Sequence, residues 1–176
     1  LNEIPFADHG ALIDPPTSDV TARCIGFLGK YGKQAHQNAV YRGVSFLLRE
    51  QEANGAWFGR WGTNYIYGTW SVLEAMQLAK QDMKHTAVRR AVQWLKSVQR
   101  EDGGWGESND SYLDPKLAEL ETSTAFQTAW ALLGLMAAGE VKSESVRRGI
   151  NYLLSAQSSN HLWEEPWFTA PGFPRV

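Results

Sequence analysis

Three times along the chain the same constellation of residues returns. Arg42, Leu47, Gln51, Gly55 and Trp57 are followed by Arg90, Leu95, Gln99, Gly103 and Trp105, and then by Arg148, Leu153, Gln157, His161 and Trp163. In each copy Arg and Gln are nine residues apart and Gln and Trp six, and the unit recurs after 48 and then 58 residues. A period of this size marks a supersecondary unit that cannot bury its apolar face alone and must stack on its neighbours. The repeats lie near residues 40–78, 88–138 and 146–170.

Each unit holds two stretches with helical periodicity. Ahead of the Gln, Val40, Val44, Leu47 and Leu48 fall on one face, as do Ala91, Trp94, Leu95 and Val98, and Ile150, Leu153 and Leu154. After the Trp loop come the more apolar stretches Gly68–Met76 and Gln127–Leu135. A helix that is apolar around most of its circumference is buried. The pattern therefore predicts two concentric layers of helices with the apolar set inside. Asn54-Gly55 and Asp102-Gly103-Gly104 mark tight turns between them. No alternating run predicts a strand. A further helix is expected from about Asp19 to Leu28, with Ser18 or Asp19 as its N-cap.

Composition removes several function classes. With 17 Lys+Arg against 19 Asp+Glu the net charge is −2, which gives no electrostatic footprint for nucleic acid. The single cysteine, Cys24, excludes an internal disulfide framework and a multi-cysteine zinc site. The acidic residues Asp102, Glu107, Asp110 and Asp114 do not have EF-hand spacing and are expected to form a solvated loop. His9, His36, His85 and His161 are scattered, and no His-Glu-x-x-His, P-loop, dinucleotide or Gly-x-Ser-x-Gly pattern occurs. Neither end carries the polar capping face of a terminal repeat, so the chain reads as a fragment, incomplete at both ends.

The repeat resembles the QW repeat of triterpene cyclases. Asp14–Ala22, Trp57–Thr69, Asp102–Glu107 and Gly172-Phe173-Pro174 resemble segments of bacterial squalene–hopene cyclases. The resemblance covers essentially the whole chain. It implies an all-α fold, part of an (α/α) toroid, taken from the C-terminal portion of such an enzyme. It implies protonation of squalene by an Asp of an Asp-x-Asp-Asp motif and cyclisation through carbocations to hopene or hopanol. No metal or other cofactor is implied. The resemblance further implies that the substrate comes from the membrane and that the protein sits at the cytoplasmic face of the cell membrane as a homodimer. The seven aspartates, at 8, 14, 19, 82, 102, 110 and 114, form no Asp-x-Asp-Asp, so the acid is expected outside this segment, and the segment alone is not expected to turn over substrate.

The resemblance also assigns residues. Trp61 would line the cavity near the protonated end, and Tyr67 would order the water and hydroxyl network that reloads the acid. Asp19 would belong to that network. At the position of Arg23 the family's best-known member has a His; an Arg stays charged and cannot act as a neutral relay, but it can hold a carboxylate. Gly172 and Phe173 would contact substrate. Gln51, Trp57, Gln99, Trp105, Gln157 and Trp163 are read as structural, the Gln amide satisfying helix ends while the indole stacks on it. The loop with His161 in place of Gly is expected to be looser. On residue chemistry alone, Trp61 and Tyr67 read as core aromatics, and Asp19 with Arg23 as an N-cap with a surface ion pair. The same toroid serves protein prenyltransferases, thioester domains, glycosidases and scaffolds. Cys24 lacks the zinc partners of the first and the Cys-Gly-Glu-Gln of the second. Oxidosqualene or another terpene is the nearest alternative substrate, and a non-catalytic binding module the alternative outside enzymes.

Overall fold

A computed structural model of the chain describes residues 15–170. Six helices alternate between two layers. The inner helices are α1 (Ser18–Tyr31), α3 (Tyr65–Leu78) and α5 (Ala125–Ala137), and they pack side by side with α3 in the middle. The outer helices are α2 (Gln37–Arg49), α4 (Thr86–Ser97) and α6 (Glu144–Ala156). This is an arc of an α/α toroid, all-α in its framework. The inner helix α3 is buried along nearly its whole circumference, from Tyr65 to Met76. The outer helices bury one stripe: Val40, Val44 and Leu47 in α2, and Ala87, Val88, Ala91, Val92 and Leu95 in α4. Leu48 and Val98 lie at the stripe edges and are exposed. In α6 only Val146 and Gly149 are buried, while Ile150 and Leu154 are exposed.

The core runs between the layers, through Ile25, Leu47, Trp57, Leu73, Leu95, Trp105, Leu132 and Leu135. Burying each of these aliphatic side chains contributes about 1.5–3 kcal/mol. No helix of the described residues is long and apolar enough to cross a membrane.

Two local expectations are corrected. A short antiparallel pair is present, β1 (Trp105–Glu107) with β2 (Glu119–Thr124), with a register irregularity between Trp105 and Glu107. Three residues are too few to show alternation, and β2, Glu-Leu-Glu-Thr-Ser-Thr, holds a single apolar residue, Leu120. The first helix begins one residue earlier and ends three later than expected, and its N-cap is Thr17, which makes no side-chain cap bond. Its hydroxyl instead donates to Asp19 Oδ1 at 2.7 Å, because Asp19 is turned inward.

The repeat residues tie the outer layer together, by a different division of labour from that expected. The indole N–H, not the Gln amide, satisfies the helix end: Trp57, Trp105 and Trp163 Nε1 donate to Leu47, Leu95 and Leu153 O at 2.7, 2.8 and 2.9 Å. The Gln amide bridges units instead. Gln51 Nε2 donates to Gly55 O and to Ala87 O of α4, both at 2.8 Å, and Gln99 Nε2 to Gly103 O and Ser145 O of α6 at the same distance. The Arg of the next unit closes the clamp. Arg90 donates to Glu52 O and Ala53 O at 2.9 Å, and Arg148 to Arg100 O at 2.6 Å and Glu101 O at 2.9 Å. The third loop keeps this shape: His161 takes φ 65°, where Gly55 and Gly103 take 99° and 91°. A Cβ at Gly55 or Gly103 would meet the carbonyl of Arg90 or Arg148 at 2.8 and 2.7 Å. His161 is exposed and strained by about 1–2 kcal/mol, but its loop retains the Gln157 and Trp163 bonds.

Candidate functional site

The loop 57–64 and the first turn of α3 converge on the start of α1. Asp19 is fully buried and accepts the backbone N–H of Trp61 at Oδ2, 2.8 Å away. This bond links residues 42 apart in sequence and fixes where the Trp61 loop turns. Trp61 is 44 % exposed as a residue, and its indole lies under the Arg60 guanidinium, 4.9 Å from the ring centre. Trp61 is therefore not a fully buried core aromatic: its backbone is anchored while the residue stays partly exposed. It closes an apolar groove with Val20, Cys24, Ile25 and Leu28 of α1.

Tyr67 is buried against this loop. A Cβ at Gly59 or Gly62 would reach the Tyr67 ring at 2.6 or 2.8 Å, so both glycines are required for the ring to lie flat there. Burial raises the Tyr67 pKa above the ordinary tyrosine value, and the Asp19 charge adds to it; Arg23 opposes both through its charge and its contact with the phenol. Tyr67 is thus a protonated hydroxyl, a donor, throughout the neutral range. Arg23 is exposed, and its guanidinium lies 5.7 Å from the Tyr67 ring centre and 4.7 Å from that of Trp70.

Sequence reasoning missed three groups that hold this site. The first is Glu107, expected in a solvated loop and in fact buried inside the molecule. Its carboxylate accepts the backbone N–H groups of Asn64, Tyr65 and Ile66 at 3.3, 3.1 and 3.0 Å. Those are the orphan donors of the α3 N-terminus, whose N-cap Asn64 makes no cap bond of its own. Burial pushes the Glu107 carboxyl up, and the three N–H groups and Ser111 pull it back. Gln127 of α5 completes the knot, accepting from Glu107 N at 2.8 Å and donating to Glu107 O at 2.9 Å.

The second is Tyr112, whose hydroxyl lies 2.7 Å from Gly62 O, 2.9 Å from Ala170 O and 3.0 Å from Gly59 O. A phenol has one proton to donate among three carbonyls, and a phenolate would face all three. Its pKa is raised well beyond the ordinary value, by burial first and then by the Glu107 and Asp19 charges. Thr63 pins the same strap: its N–H donates to Thr169 Oγ1 at 2.8 Å, and its hydroxyl accepts from Ala170 N at 3.0 Å. The third group is aromatic. Tyr67, Trp70, Phe126 and Trp130 form a continuous cluster across α3 and α5.

Of the residues expected from sequence, the structure brings together Asp19, Arg23, Trp61 and Tyr67. The surface ion pair is corrected, because Asp19 is fully buried and spends its oxygens on Thr17 and Trp61. Gly172 and Phe173 lie outside the described residues. Gln51, Trp57, Gln99, Trp105, Gln157 and Trp163 lie in the loops of the outer layer. Trp57 and Trp105 are completely buried, whereas Trp163 is 39 % exposed. Among the described residues no group of three or more His, Cys, Asp or Glu could hold a metal ion.

The sequence profile described as "Squalene-hopene cyclase C-terminal domain" matches residues 1–176. A protein of Sinorhizobium fredii described as a "Probable squalene--hopene cyclase" is 57 % identical over 178 residues, covering 100 % of this chain and 28 % of its own length. The "Squalene--hopene cyclase" of Zymomonas mobilis is 55 % identical over 177 residues, covering 100 % of this chain and 27 % of its own length. The chain thus spans little more than a quarter of these relatives. Among solved structures, the ent-copalyl diphosphate synthase from Streptomyces platensis superposes with a TM-score of 0.70 at 22 % identity, over 92 % of this chain and 32 % of that one. That likeness concerns the fold.

Proposed function

The chain belongs to the squalene–hopene cyclase C-terminal domain family, and from that membership we propose that in the complete protein it forms one wall of a cavity in which squalene is protonated and cyclised. The proton adds to a terminal double bond, and each cation is attacked by the next double bond. The last cation loses a proton to give hopene, or takes up water, which then releases a proton, to give hopanol. The first outcome is an isomerisation and needs no oxidant, reductant or metal. The acid comes from the part of the protein outside this segment.

The observation that carries the reading is the placement of Trp61. Its backbone is anchored by a buried carboxylate, and its indole lies against the Arg60 guanidinium at the edge of an apolar groove. An aromatic face stabilises a desolvated cation by about 2 kcal/mol or more without the nucleophilicity of water. Tyr67, kept protonated, donates towards the network that returns a proton to the acid. Asp19 fixes the two relative to each other, and Arg23 is placed to hold a carboxylate by charge-assisted hydrogen bonds. Gly172 and Phe173 are proposed to contact the growing cation from the following loop. The complete protein would draw squalene from the cytoplasmic face of the cell membrane as a monotopic, homodimeric enzyme.

The complete reading frame, expressed in membranes and incubated with squalene, is expected to give a pentacyclic C30 product detectable by mass spectrometry. Product from another polyprenoid but not squalene would move the substrate and keep the mechanism. No product from any polyprenoid would overturn the reading in favour of a scaffold.

A further inference from the structure

The aromatic cluster of the inner layer does more than fill space. The Arg23 guanidinium of α1 lies over the Trp70 ring of α3 at 4.7 Å. Trp70 stacks on Trp130 of α5, with ring centres 5.7 Å apart and planes 8° from parallel. Trp130 is braced in turn by Phe126, edge-on at 5.2 Å, and by Tyr67 at 5.1 Å. Because α3 lies between α1 and α5, Arg23 and Trp130 reach Trp70 from its two flanks.

The stack is not a product of the repeat. Thr69 and Thr128 are equivalent residues, each accepting the backbone N–H of its repeat tryptophan, Trp57 or Trp105, at 3.0 and 2.9 Å. Trp70 follows the first by one residue and Trp130 follows the second by two. The two indoles therefore occupy different positions of their units, and the repeat does not account for their meeting. The Trp70 N–H is buried and has no acceptor among the described residues, so the hydrogen-bonding edge of the indole does not explain its place there. Its face does.

We propose that Trp70 and Trp130 are positioning residues that hold the Arg23 guanidinium in a fixed orientation on the inner face, ready for a carboxylate supplied by the rest of the protein. This rests on the reading of Arg23 given above. An arginine on an exposed helix face samples many rotamers. A rigid aromatic plane removes that freedom and keeps the charge desolvated on one side while its N–H groups remain free to donate.

The test is a double-mutant cycle in the complete enzyme, with squalene turnover and melting temperature read for every variant. Trp70→Leu is expected to lower kcat about ten- to thirty-fold with KM within about twofold, while Trp70→Phe, which keeps a face and loses the N–H, retains most of the activity. In an Arg23→Ala background, Trp70→Leu is expected to cost no further kcat, although its effect on melting persists. Trp130→Leu, which does not touch Arg23, is the second variant if Trp70→Leu fails to fold. It is expected to lower kcat less, and also only when Arg23 is present. Additive losses in the cycle, or equal losses for Trp70→Phe and Trp70→Leu, would overturn the proposal. An Arg23→Ala enzyme with unchanged kcat would instead overturn the role of Arg23 itself, and the positioning role with it.

Discussion

Tyr112 shows how one side chain can hold a loop by being unable to ionise. Its phenol shares a single proton among the carbonyls of Gly59, Gly62 and Ala170. Burial, with Glu107 and Asp19 nearby, raises its pKa above that of the unfolded chain. The unfolded state therefore releases this proton first. The stabilisation is fully present below the ordinary tyrosine value of about 10 and falls as pH rises beyond it. Tyr67, also raised, acts in the same direction. Tyr112→Phe is expected to cost about 1–3 kcal/mol at neutral pH, since buried carbonyls lose their donor. It should also flatten the decline in stability between about pH 10 and 11; denaturant titrations of the complete protein at several pH values check both. An unaltered alkaline decline would assign it to other groups. Nothing local marks Tyr112 in the sequence: its partners lie about 50 residues away, across a contact that no spacing rule encodes.

At the scale of elements, α3 depends on a residue it does not contain. Its first turn carries Tyr67, and its orphan N–H groups are met by Glu107 from β1. Glu107→Ala leaves three buried donors without an acceptor and is expected to destabilise by at least about 3 kcal/mol. Amide exchange at Tyr65 and Ile66 should then accelerate strongly relative to α4, which has its own cap in His85. Uniform change across both helices would contradict a local clamp. The helices themselves were legible from periodicity, and the repeat exposed the two-layer plan, because both signals are local or strictly periodic. Glu107 read as solvated because its burial is decided by a three-residue strand and by helix ends far away. Asn64, a favoured N-cap residue, gave no sequence signal of this, because only the structure shows that it makes no cap bond and that Glu107 takes the helix-end donors. The inner face of Trp70, Phe126 and Trp130 was visible only as general apolarity, since which ring meets which is a matter of helix packing. The third loop, expected to be looser, keeps the Gln157 bond to His161 O and the Trp163 bond to Leu153 O, while Trp163 is exposed where Trp57 and Trp105 are buried.

In the molecule as a whole, two layers do different work. The outer layer is clamped unit to unit by Gln, Arg and Trp. The inner layer groups Arg23, Tyr67 and the aromatic cluster, and Trp61 is tied to the start of α1 through Asp19. The candidate residues Asp19, Arg23, Trp61 and Tyr67 were legible through family resemblance and not through spacing, and the structure gives them a shared framework. The central claim is that the Trp61 indole belongs to the cyclisation cavity, and a single substitution separates this from a packing role. Trp61 is 44 % exposed, so Trp61→Leu should change stability little. In the complete enzyme the account predicts that squalene turnover falls at least about tenfold, the loss of one desolvated cation–aromatic contact, while the melting temperature shifts by no more than about 2 °C. Unchanged turnover with an unchanged product spectrum would contradict it.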